Sequence, residues 1–64
     1  MACVADGRPT ESGRRMIDAV AKGARTPEEV AKVTGLPLFR VRGGLRELAA
    51  AGLVLETADG YQVP

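Results

Sequence analysis

Arg40, Arg42 and Arg46 fall close together in a chain of 64 residues, with Leu38 and Phe39 just before them and Gly43 among them. A guanidinium keeps its charge at every relevant pH and presents N–H donors as a planar fork. It therefore matches a carboxylate, a phosphate, or the O6/N7 edge of a guanine through two hydrogen bonds at once. The spacing becomes meaningful if the segment is helical. From Leu38 the apolar residues Val41, Leu45, Leu48 and Ala49 recur at helical intervals until Gly52 closes the run, which predicts a helix over about 38–51 with the arginines on its outer face. The candidate contact residues are Leu38, Phe39, Arg40, Arg42, Gly43 and Arg46. Their chemistry is recognition of a polyanion rather than the making or breaking of bonds.

Composition points the same way. There is no histidine and one cysteine, Cys3, so metal clusters, Cys/His nucleophiles and Ser/His/Asp triads have no ingredients. No catalytic residue, cofactor site or metal site is expected, and the chain reads as a binding module rather than an enzyme. A single cysteine forms no internal disulfide, which gives no sign of an oxidising compartment; the cytoplasm is the expected location. Residues 1–10 lack the apolar core of a signal peptide, and no stretch approaches the roughly 18 apolar residues of a membrane span. The net charge of +1 conceals a gradient: residues 36–52 carry three arginines against Glu47, whereas residues 53–64 carry only Glu56 and Asp59.

The elements that must position the arginines are announced by local signals. Thr26, Pro27 and Glu29 form a capping box with proline at the first helical position, so a helix starts there, shows Val30, Ala31 and Val33 on an apolar side, and ends at Gly35. Leu36 and Pro37 complete a short turn into the arginine-bearing helix. An earlier helix begins near Thr10 to Ser12 and runs to Lys22, with Met16, Ile17 and Val20 facing the core and Gly23 as its stop. Residues 1–10 have no periodic apolar face and read as a disordered tail in which Cys3 is a solvent-accessible thiol; residues 11–64 are the domain. Gly43 and Gly44, side by side in a helix interior, cost about 2 kcal/mol relative to alanine and need a reason. For Gly44 that reason is close approach of another helix, while Gly43 faces outward with the arginines. Residues 53–57 and 61–63 form a terminal hairpin, for which a three-residue loop pairing Thr57 with Tyr61 and Leu55 with Val63 collects Leu53, Leu55, Tyr61 and Val63 on one face. Ala24 and Arg25 leave room for one further sheet residue, so the sheet would have two or three strands.

Three helices, the last two joined by a glycine turn, followed by a hairpin define a mainly α fold with a small β-hairpin: the winged helix-turn-helix arrangement. The run VAKVTGLPLFRVRGGLRELAAAGLVLETADGYQV resembles the N-terminal DNA-binding domain of IclR-type transcription regulators, and also MarR-type and other small prokaryotic regulators. The resemblance lies in Ala31, Gly35, Leu36, Pro37, Val41, Leu45, Leu48, Gly52, Leu53, Val54, Gly60 and Tyr61. It implies that Leu38 to Glu47 enters the major groove of double-stranded DNA, with Arg40 and Arg42 on base edges or phosphates and Arg46 on a phosphate further along. The sequence departs from this pattern at Leu38 and Phe39, where such regulators show polar residues, and in a wing that carries Glu56 and Asp59. An exposed Leu-Phe pair is also what a protein-binding surface presents, which makes protein–protein contact through Leu38, Phe39 and the hairpin the alternative, as in the module resembling the C-terminal winged helix of DprA-type proteins. Burial of Phe39 favours DNA; its exposure beside Leu38 favours protein. A homodimer would set two such helices about one DNA turn apart.

Overall fold

The computed structural model describes residues 3–64, in which the chain forms β1 (Val4–Ala5), β2 (Arg8–Pro9), α1 (Glu11–Ala21), α2 (Pro27–Thr34), α3 (Leu38–Ala50), β3 (Leu55–Thr57) and β4 (Gly60–Gln62). Local chemistry accounts for the helix limits. The Thr26 hydroxyl accepts the Glu29 N–H at 3.2 Å, and the Glu29 carboxylate accepts the N–H groups of Thr26 at 3.2 Å and Arg25 at 2.9 Å, so the donors at the start of α2 are satisfied reciprocally. Gly35, with φ of 75°, takes the left-handed conformation that ends α2. Thr10 caps α1 by accepting the Gly13 N–H at 3.3 Å. The third helix has no side-chain cap and follows directly from the extended Pro37.

The helices pack on one another around Met16 and Val20 from α1, Val30 from α2, and Val41, Leu45 and Leu48 from α3, joined by Val54 and Tyr61 from the C-terminal segment. The apolar side expected for α2 is narrower than its composition implies, because Val30 is fully buried and Ala31 half-buried whereas Val33 is 61% exposed. The glycine pair resolves into two different residues. A Cβ on Gly44 would lie 2.6 Å from the Cys3 Sγ and 2.6 Å from the Met16 Cε, so the absence of a side chain here leaves the space that the Met16 thioether from α1 and the Cys3 thiol occupy. A Cβ on Gly43 would meet nothing.

Two expectations are corrected. The first is the tail over residues 1–10: Met1 and Ala2 lie outside the described residues, but from Cys3 onward the segment is folded. Val4 pairs with Pro9 and Ala5 with Arg8, around a turn in which Asp6 and Gly7 both take positive φ, 53° and 76°. Asp-Gly at positive φ in both positions is a two-residue turn whose twist suits an antiparallel pair, a signal the lack of apolar periodicity obscured. Cys3 is consequently not solvent-accessible; it is 3% exposed within the core, and its carbonyl oxygen accepts the Thr10 N–H at 2.9 Å. Gly13 in the first turn of α1 is explained as well, since a Cβ there would collide with that carbonyl.

The second correction is the register of the C-terminal hairpin. Leu55 pairs with Gln62, Glu56 with Tyr61 and Thr57 with Gly60, leaving Ala58 and Asp59 as the loop. A shift of one residue in pairing exchanges the two faces. Val54 and Tyr61 accordingly turn into the core, and Leu55 is 45% exposed. The deciding contact is tertiary: the Tyr61 N–H donates to the Arg25 carbonyl oxygen at 2.7 Å, and Gly60 lies so close to that carbonyl that a Cβ would not fit. Arg25 thus contributes a single hydrogen bond to the hairpin and no third strand; each sheet has two strands.

Candidate functional site

The third helix divides cleanly by burial. Val41, Gly44, Leu45 and Leu48 are buried, whereas Phe39, Arg40, Arg42, Gly43, Arg46 and Glu47 are exposed. Residues three and four apart are neighbours on a helix surface, so Phe39, Arg42, Gly43 and Arg46 form one continuous outer stripe. Arg40 projects to one side of it, where with Glu47 it borders a shallow depression that also reaches Phe39, Gly43 and Gly44. Leu38 does not share the stripe. It is half-buried, and its spacing from Val41 and Leu45 places it on the core side of the helix. The ring of Phe39 is 74% exposed. Sequence-adjacent Leu38 and Phe39 therefore do not build a joint apolar patch, because successive residues of a helix point in different directions.

Acidic side chains from other elements reach this stripe. The Arg42 Nη2 lies 3.4 Å from the Glu28 Oε2 across the α2–α3 interface, with 59% and 62% of the two side chains exposed. Arg42 and Arg46, together with Pro27, Glu56 and Tyr61, line an open cleft between the start of α2, the outer face of α3 and the C-terminal hairpin. Glu28, Glu56 and Tyr61 are the residues that sequence reasoning did not assign to the site. Glu28 reads as an ordinary first-turn acid favoured by the helix dipole, and nothing in the spacing of fourteen residues links it to Arg42.

The groups behind the stripe are held in defined protonation states. Burial raises the pKa of the Cys3 thiol above its usual 9.0, and the nearby Glu47 carboxylate adds to the shift. That carboxylate accepts the Cys3 N–H at 3.3 Å, tying the N-terminal segment to α3. Burial likewise raises Tyr61 above 10.0, with the Glu56 charge acting in the same direction. Both side chains are neutral near pH 7, so the positive character of the outer face comes from its guanidiniums alone. Elsewhere, Arg15 is 3.8 Å from Glu11 along α1, the ordinary pairing of a solvated helix face.

Among the described residues no group of His, Cys, Asp and Glu is arranged to hold a metal ion, and no helix is long and apolar enough to cross a membrane. No family model matches the chain, and no curated protein or solved structure matches it either.

Proposed function

We propose that the protein is a winged helix-turn-helix module that binds double-stranded DNA in the manner of a small transcription regulator, presenting α3 to the major groove. The observation that carries this reading is the cationic part of the outer stripe: Arg42, Gly43 and Arg46 lie along one exposed helix face, with Arg40 beside it and no core role for any of them. Guanidiniums at this spacing meet phosphates or guanine edges, and a glycine without neighbours lets a nucleic-acid backbone approach closely. The three-residue turn between α2 and α3, and a hairpin that shares a cleft with Arg42 and Arg46, support the same arrangement.

A titration with duplex DNA at several salt concentrations tests this. Non-specific binding at a Kd on the order of 10⁻⁴ to 10⁻⁶ M is expected, with Arg40→Ala and Arg46→Ala each weakening it and lowering the salt slope by about 1 for a phosphate contact, and with Arg42→Ala weakening binding where a guanine edge meets its fork. Binding indifferent to all three substitutions would remove the reading.

The exposure of Phe39 favours a second reading, contact with another protein. An aromatic ring in solvent is the usual anchor of such a surface. We rank it second because the ring is flanked by cations rather than by further apolar residues; the other exposed large hydrophobic residues, Val33, Leu55 and Val63, lie outside α3. Amide chemical shifts on α3 that respond to a protein partner and not to DNA would reverse the order.

A further inference from the structure

Among the described residues Arg42 of the outer stripe forms an ion pair whose partner comes from the neighbouring helix: the Glu28 carboxylate, 3.4 Å away and as open to solvent as Arg42 itself. The pair lies on the surface, with more than half of each side chain exposed, while the fully buried Val30 and Val41 belong to the core. An exposed pair of this kind contributes little to folding. Its effect falls on whatever Arg42 would otherwise hold. Glu28 occupies the guanidinium and places a negative charge beside the surface that, on the reading above, faces a phosphate backbone.

We propose that Glu28 is a specificity-setting residue that competes with nucleic acid for Arg42. A single phosphate oxygen offers the guanidinium no more than the Glu28 carboxylate already does, and meets repulsion from that carboxylate in addition. A guanine edge offers two acceptors in the geometry of the fork and compensates for the lost pair. Glu28 thus weakens indiscriminate backbone binding by Arg42. This inference rests on the DNA reading of α3.

The experiment uses the full chain and a fluorescent duplex of mixed sequence, titrated at several salt concentrations with wild type, Glu28→Gln, Arg42→Ala and the double variant. Glu28→Gln leaves the Thr26–Glu29 capping box intact, and circular dichroism verifies its helix content. It is expected to bind about fivefold more tightly than wild type, the scale of one exposed ion pair. Its salt slope is expected to steepen by about 0.9, the signature of one additional phosphate contact. In the Arg42→Ala background the same substitution should change affinity by less than about twofold, because only background repulsion remains to be relieved. An unchanged affinity and slope for Glu28→Gln, while Arg46→Ala still weakens binding, overturns the inference and leaves the DNA reading standing. A gain that persists in full without Arg42 also overturns it. Absence of DNA binding by all four proteins overturns the DNA reading and the inference together.

Discussion

The thioether of Met16 fills the space that a side chain on Gly44 would need: a Cβ there would stand 2.7 Å from the Met16 Sδ. Met16 and Cys3, whose Sγ stands 2.6 Å from the same position, are both buried in the core, so making room for a Cβ requires that the core repack. Gly44→Ala should therefore lose about 1–3 kcal/mol to overpacking and recover about 1 from helix propensity, a net destabilisation seen in urea unfolding. A stabilised variant would show that α1 and α3 do not approach as closely as the structure has them.

Gly43 supplies the control. Its Cβ position is open, so Gly43→Ala should stabilise the domain by about 1 kcal/mol through helix propensity alone. The same variant is expected to weaken DNA binding where the backbone of a duplex passes over the stripe. Greater stability with undiminished DNA affinity would mean that Gly43 has no part in recognition.

Truncation tests the N-terminal hairpin. Removing residues 1–9 takes away the buried Cys3, its hydrogen bonds to Thr10 and Glu47, and the cover over Gly13 and Gly44. A loss of about 2 kcal/mol is expected from the exposed apolar surface and the severed hydrogen bonds. A truncated chain as stable as the whole would return these residues to the status of a tail.

The response to acid follows from Glu29. Hydrogen bonds from the backbone N–H of Arg25, and then of Thr26, hold its pKa below the ordinary 4.5. A lowered folded-state pKa contributes stability that is present above 4.5 and is lost as the pH falls through the folded value. Melting temperature should decline in that window for wild type and decline less steeply for Glu29→Gln. At neutral pH, Thr26→Ala should cost about 1 kcal/mol as the loss of a helix cap.

The alkaline limb has the opposite sign. Burial raises Cys3 above 9.0 and Tyr61 above 10.0, so the folded protein retains protons that the unfolded chain releases. Their stabilisation is complete below the unfolded values and drains away as the pH rises beyond them. In Cys3→Ala the onset of that loss should move from the thiol range to the tyrosine range. A thiol reagent should label wild-type Cys3 only as fast as the domain opens, in contrast to the free thiol the sequence suggests.

The helices were legible because each is specified by residues a few positions apart. Thr26, Pro27, Glu29 and Gly35 bracket α2, and the Val41, Leu45 and Leu48 row marks the buried side of α3. The exposure of Arg40, Arg42, Gly43 and Arg46 followed from the same periodicity. The N-terminal strands were hidden for a different reason: a two-residue strand carries no readable alternation, and its stability lies in Cys3 meeting Gly13 and Gly44 from distant parts of the chain.

What the sequence by itself determined was the three helices, the Thr10 and Thr26 caps and the outward face of the arginines, since backbone donors and helical spacing are satisfied within one or two turns. Only the tertiary structure decided the hairpin register, through the Tyr61 N–H on the Arg25 carbonyl, and the pairing of Glu28 with Arg42. Those contacts join residues separated by long stretches of chain, and their existence depends on how α1, α2 and α3 pack rather than on any local preference.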